Sequence, residues 1–161
     1  MRVALLMGSD SDLPRLEACV STLAKLDIPH EVRVLSAHRT PHDLVKFVEE
    51  SEGETGVYLC AAGGAAHLAG VVAAHTLRPV IGIPMDNPPL GGLDALLATV
   101  QMPGGIPVAT VAVGGGGPMN AALIAARILA LSDEGLAGRV RELNEANAEK
   151  VREKDRKVRN R

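Results

Sequence analysis

Aromatic side chains are almost missing from this chain: one Phe, one Tyr and no Trp in 161 residues. That scarcity removes two classes of partner. A flavin carrier sandwiches its ring between aromatics, yet Tyr58 falls in a predicted strand and Phe47 in a predicted helix. Single-stranded nucleic acid is held on stacking platforms within a basic groove, and neither is legible here. Cysteine is equally sparse. Cys19 and Cys60 lie in apolar segments without metal-ligand spacing, which reads as two buried, reduced thiols rather than a disulfide framework. No apolar run reaches membrane-spanning length, and Met1–Met7 is too short for a secretory signal, so a soluble, cytoplasmic protein is expected. Single-sign charge is confined to one place. Lys150–Arg161 carries a local +5, so the remainder holds −7 of the overall −2, and this tail reads as a solvated helix end.

What the chain does contain is Leu, Val, Ala and Ile in short runs, punctuated by 17 Gly and 10 Pro. Val3–Met7 is a continuous apolar run, as in a strand buried on both faces. Apolar residues at Leu13, Leu16, Val20, Leu23 and Leu26 follow with helical spacing, capped by Ser11 or Asp12, with Pro14 in the first turn. Further strands are expected at Glu31–Leu35, Gly56–Ala61, Pro79–Pro84 and Pro107–Val113. Helices are expected after Thr40-Pro41, after His67, at Leu93–Val100 and at Pro118–Leu131. Ser132 then caps a last helix carrying Leu136, Val140, Leu143 and Val151.

Strands alternating with helices predict an α/β fold, a three-layer αβα sandwich around a five-stranded parallel sheet of flavodoxin-like kind, plus an extra C-terminal helix. One domain is expected over residues 1–161. Residues 1–131 form its αβ core, and 132–161 a helix whose narrow apolar stripe suits a neighbouring subunit. Ligands gather beyond the carboxyl ends of such strands. Every unusual loop lies there: Gly8–Pro14, Ser36–Pro41, Ala61–His67, Asp86–Gly92 and Gly114–Pro118.

Two of those loops carry chemistry. Ser36-Ala37-His38-Arg39-Thr40-Pro41 sets an imidazole beside a guanidinium at a helix N-terminus. Imidazole moves protons near neutrality, with an unperturbed pKa of about 6.5, and guanidinium suits two-pronged phosphate binding. Ser9-Asp10-Ser11-Asp12 offers hydroxyls and carboxylates where the first helix begins, for ordinary capping or for phosphate and ribose. His67 is evenly balanced between packing and the pocket floor. The glycine clusters at Gly63-Gly64 and Gly114–Gly117 match neither a dinucleotide fingerprint nor a triphosphate loop. A phosphoacceptor receiver is excluded too, because the third and fifth strands end without its Asp and Lys. No convincing metal-ligand cluster is legible.

These residues resemble the PurE family, whose members rearrange an aminoimidazole ribonucleotide in purine synthesis. The matching blocks are Met7–Asp12, Ser36–Pro41, Ala62–Leu68, Gly92–Leu97 and Val100–Pro103 through Pro107–Thr110, within a resemblance that runs from Val3 to Leu131. The resemblance implies conversion of N5-carboxyaminoimidazole ribonucleotide to 4-carboxyaminoimidazole ribonucleotide. His38 would carry the proton, while Ser9, Ser11, Asp12, Ser36 and Arg39 would hold phosphate and ribose. Gly63 and Ala65, within a small dry cage from Ala61 to Ala66, would touch substrate and retain released carbon dioxide. The loop from Asp86 to Gly92 would act as a lid. It further implies no ATP, biotin, flavin or metal, and a homo-oligomer, commonly an octamer, with sites shared between subunits. A second class of the family carboxylates aminoimidazole ribonucleotide directly and replaces the Gly64-Ala65-Ala66-His67-Leu68 segment, so that segment favours the mutase. The remaining alternative is a ribonucleotide-binding regulator without catalysis.

Overall fold

The computed structural model describes residues 1–160; Arg161, the last residue of the basic tail, lies outside them. Five parallel strands, β1 (Arg2–Met7), β2 (His30–Val34), β3 (Thr55–Ala62), β4 (Val80–Pro84) and β5 (Ala109–Thr110), form one sheet in the order β2-β1-β3-β4-β5. Six α-helices are found among the described residues: α1 (Leu13–Lys25), α2 (Pro41–Ser51), α3 (Leu68–Ala74), α4 (Leu93–Val100), α5 (Gly117–Leu129) and α6 (Glu134–Arg159). This is the expected α/β fold.

The continuous apolar run of β1 is explained by its two faces. Val3, Leu5 and Met7 enter one core with α1 and α5, through Leu16, Cys19, Leu23, Ala121, Ala122 and Ala125. Ala4 and Leu6 enter the other, with Leu44 and Val48 of α2 and Leu68 and Val72 of α3. Alternate residues of a strand face opposite ways, so a strand covered on both faces has no position for a polar residue. Tyr58 obeys the same demand. Its ring is fully buried, and its hydroxyl donates to the Val48 carbonyl at 3.1 Å and shares a 2.8 Å bond with Ser51 Oγ. Gly82 faces the side of its sheet neighbour Cys60 and lets Thr99 of α4 pack directly on β4. α2, α3 and α4 therefore cover one face, while α1 and α5 cover the other.

Four local expectations are corrected. β5 pairs over only Ala109 and Thr110, not from Pro107 to Val113. It is an edge strand, Pro107 has no N–H to donate, and Gly105, at φ +97°, turns the chain just before it. The chain still runs beside β4, with Val111 N donating to Gly82 O and Gly114 N to Pro84 O. Leu13 does not join the buried stripe of α1 and is 43% exposed. Neither Ser11 nor Asp12 caps by side chain: Ser9 accepts from Ser11 N and caps a 3₁₀ turn over Asp10–Asp12 that leads into α1. Asp133, not Ser132, caps α6, its carboxylate accepting from Leu136 N at 2.9 Å, where an anion is favoured by the helix dipole.

The start of α6 packs within its own chain. Leu136 and Val140 are buried against the α1 and α5 core, and Arg139 Nε donates to Leu26 O at 2.8 Å. Further along, Val151 and Val158 are exposed, and Arg152 and Arg156 pair with Glu145 and Glu149 of the same helix.

Candidate active site

At the carboxyl ends of β1, β2 and β3 the loops enclose a cavity of about 360 Å³. Strand order 2-1-3 places it at the crevice where successive connections leave to opposite faces of the sheet. Its lining comprises Gly8, Ser9, Ser11 and Asp12 from the first loop and Ser36, Ala37, His38 and Arg39 from the second. Ala62, Gly63, Ala66, His67 and Leu68 come from the third, and Asn87 from the loop after β4.

The second loop is a closed hydrogen-bond ring. Ser36 Oγ accepts from Arg39 N at 3.1 Å, Ser36 N donates to Thr40 Oγ1 at 3.0 Å, and Thr40 N donates to Ser36 O at 2.9 Å. Thr40 stands at the N-cap of α2, but its hydroxyl serves this ring rather than the helix N–H groups. The ring fixes the backbone on either side of His38 and Arg39. Arg39 Nη2 donates to Gly8 O at 2.9 Å, tying the second loop to the first. A guanidinium has five N–H donors in a planar fork, so donors remain for an anion beside the Ser9 and Ser11 hydroxyls, themselves 2.8 Å apart.

His38 has an imidazole partner. Its Nε2 lies 2.7 Å from His67 Nδ1, and the rings meet edge to face at 83° with centroids 4.8 Å apart. One facing nitrogen must carry the hydrogen and the other must be bare, so the placement of the shared hydrogen ties the two rings together. His67 belongs to the site, a role the sequence left evenly balanced. Gly64 (φ +62°) and Ala66 (φ +42°) both hold left-handed backbone, and Ala66 N donates to Gly63 O at 3.2 Å. That turn buries Ala66 against the cavity and directs Ala65 to solvent. Ala66, not Ala65, therefore lines the pocket. Gly63 lies where a methyl group would overlap the Asn87 amide, so a larger residue there would displace the Asn87 side chain from its place in the wall.

Asp12 is 5% exposed, and burial pushes its carboxyl pKa up, opposed in part by the positive charge of Arg15. A carboxyl harder to ionise in the fold than in the unfolded chain costs stability as pH rises from its unfolded toward its folded pKa. Asp12→Asn is therefore expected to raise the melting temperature at neutral pH. Thermal scans at pH 4 and 7 check this: the gain should be larger at pH 7, and a lower melting temperature there contradicts it.

A larger and more apolar depression, about 730 Å³, opens near the amino ends of β4 and β5. There the Glu52 carboxylate accepts from Thr76 Oγ1 at 2.8 Å and Leu77 N at 3.1 Å, bonds that lower its pKa. Those polar groups satisfy one another, and the chemistry lies at the opposite edge.

A parallel αβα fold with an imidazole pair, an arginine and hydroxyls around one small cavity defines an enzyme-like site for a phosphorylated small molecule. The profile of the AIR carboxylase family matches residues 2–150. N5-carboxyaminoimidazole ribonucleotide mutase of Brucella melitensis is 48% identical over 153 residues, covering 94% of this chain and 94% of that protein. The mutase of the same name from Escherichia coli K12 is 47% identical over 154 residues, covering 94% and 90%. The crystal structure of Treponema denticola PurE is similar at 35% identity with a TM-score of 0.88, covering 97% of each chain. The chain belongs to the AIR carboxylase family.

Proposed function

We propose that the chain is an N5-carboxyaminoimidazole ribonucleotide mutase, an isomerase that moves a carboxyl group from nitrogen to ring carbon C4. The observation that carries this reading is the convergence of His38, Arg39 and the Ser9–Asp12 loop on one cavity, in a chain 48% identical to a protein of that name. Arg39, Ser9, Ser11 and Ser36 take the phosphate, and the Asp12 carboxylate accepts from ribose hydroxyls. His38 gives a proton to the exocyclic nitrogen as its bond to the carboxyl carbon breaks, releasing carbon dioxide. The electron pair of the aminoimidazole then attacks that carbon dioxide from C4, forming the new carbon–carbon bond. His38 removes the C4 proton, restoring the aromatic ring and its own starting state. No proton is gained or lost overall, so one imidazole suffices, and His67, bonded to it, sets which of its nitrogens is bare.

Carbon dioxide is neutral and would diffuse away from an open site. The Ala62, Gly63, Ala66 and Leu68 wall is apolar and lies next to His38, which suits retention close to the attacking carbon. Residues 1–161 are read as one domain, and the enzyme as a cytoplasmic homo-oligomer, an octamer by the family's pattern. Supporting the assembly, Leu93, Leu97 and Val100 of α4 and Leu90 in the turn before it form an exposed apolar patch, each about half exposed, and distal α6 has Val151 and Val158 uncovered. Light scattering should return a whole multiple of 16.8 kDa, eightfold for the octamer, and a monomer contradicts it.

Supplying the purified protein with each substrate in turn, and following the 4-carboxy product by ultraviolet absorbance, tests the activity. Turnover of the N5-carboxylated compound without added bicarbonate is expected. Efficient use of aminoimidazole ribonucleotide plus carbon dioxide, with none of the N5 compound, would make the chain a direct carboxylase. Binding without turnover of either would make it a regulator.

A further inference from the structure

Arg15, in the first turn of α1, is absent from the cavity lining but reaches across its rim. Its Nη1 donates to Asn87 Oδ1 and lies 3.5 Å from Asp86 Oδ1. Two consecutive residues of the loop between β4 and α4 thus rest on one guanidinium. That loop starts at Met85, whose N–H donates to Ala62 O at 3.0 Å, and ends at Gly91 and Gly92, both at positive φ. The Asp86 carboxylate also abuts Gly114, where a Cβ would lie 2.8 Å from Oδ2. With the Asn87 oxygen taken by Arg15, its amide nitrogen is turned toward Gly63, in the apolar wall. An NH₂ group there is a hydrogen-bond donor beside the space in which the migrating carboxyl group would lie.

We propose that Arg15 is a positioning residue which, by holding Asp86 and Asn87 together, keeps the Asn87 amide donating to the carboxyl group in transit. The proposal rests on the mutase reading for its substrate. An amide donor aimed at a carboxylate or at carbon dioxide helps retain it, and a loop that swings away both loosens binding and opens an exit for the gas. Arg15 is half exposed, so its exchange leaves the cores untouched. It acts on the loop and, through its charge, on Asp12, so the partition of carbon dioxide and loop exchange, not KM alone, read the latch.

The test compares Arg15→Ala, Arg15→Lys, Asn87→Ala and the Arg15→Ala/Asn87→Ala double variant in the full chain. With N5-carboxyaminoimidazole ribonucleotide as substrate, two readouts are KM against kcat and the fraction of substrate lost as aminoimidazole ribonucleotide plus free carbon dioxide. Arg15→Ala is expected to raise KM about three- to tenfold, as loss of a charge-assisted hydrogen bond does, and to increase the uncoupled fraction several-fold. Arg15→Lys should recover part of both, and the double variant should be no worse than Asn87→Ala alone, because the two residues act as one unit. A purely structural arginine would shift the melting temperature without changing the partition, and that result overturns the proposal, as do additive effects in the double variant. Hydrogen exchange of the Asp86, Asn87, Leu90, Gly91 and Gly92 amides without substrate gives a separate arm. Faster exchange in Arg15→Ala supports the latch even if the native chain fails to turn over this substrate, a failure that counts against the mutase reading instead. Unchanged exchange defeats the latch whatever the substrate.

Discussion

His38→Asn is expected to bind the ribonucleotide nearly as the native chain does and to turn it over about 10²- to 10⁴-fold more slowly, the range lost when general acid–base help is removed. Binding survives because what orders the loop is not the imidazole. Ser36, Arg39 and Thr40 close their ring through backbone groups and hydroxyls, and Arg39 is separately tied to Gly8 O. Asparagine is polar, fits the space and supplies hydrogen bonds, but its amide is neither an acid nor a base near neutral pH and cannot serve as the proton carrier. The contact with His67, 2.7 Å in the native chain, is lost with the ring. His67→Asn is the informative companion: if His67 only sets which His38 nitrogen is bare, its loss slows turnover less than loss of His38. Calorimetric titration gives the dissociation constant and absorbance the rate. A His38→Asn rate within a few-fold of native removes His38 from the chemistry.

Arg39→Ala should weaken binding of the ribonucleotide by roughly 10- to 100-fold, the worth of one or two charge-assisted hydrogen bonds. The loss should vanish for the dephosphorylated nucleoside. The guanidinium stands between the first and second loops, one donor occupied by Gly8 O and the others open to the cavity beside Ser9 and Ser11. Arginine is suited to such a place because its planar fork meets two phosphate oxygens at once, so Arg39→Lys should recover only part of the affinity. Titration of each variant with both ligands checks this. Equal losses for nucleotide and nucleoside would mean that Arg39 holds the loops together rather than the phosphate.

The parts of the fold legible in the sequence were those in which local pattern and tertiary burial agree. β1 from Val3 and β3 from Gly56 are buried on both faces and are almost wholly apolar, so their runs announce them. β5 was read too long because apolar residues from Pro107 to Val113 serve burial and loop alike, while pairing at a sheet edge depends on an available N–H and on the neighbouring strand. The cap at Ser132 is displaced to Asp133 for a related reason, because neighbouring polar side chains compete and tertiary geometry selects one. Thr40 does stand at the N-cap of α2, but its hydroxyl accepts from Ser36 N instead of from the helix.

The site was legible where its residues lie in one loop and hidden where they meet across the fold. His38 and Arg39 are adjacent in sequence, and the Ser9–Asp12 loop is compact. His38 and His67 are 29 residues apart and touch because α2 and α3 cover the same face of the sheet while β2 and β3 flank β1. No local spacing encodes that meeting. Asn87 carried a weaker signal, an amide in a Pro- and Gly-rich loop at the functional edge, and Gly63 makes room for it. Ala65 and Ala66 are alike in sequence. Only the left-handed backbone at Gly64 and Ala66 decides which methyl lines the cavity.

The central claim is that the carboxyl group is released and recaptured inside this one cavity. Substrate carrying ¹³C in its N5-carboxylate, converted in excess unlabelled bicarbonate, tests this directly. The account predicts 4-carboxy product that keeps nearly all of the label. Product that has exchanged its label for solvent carbon would contradict it.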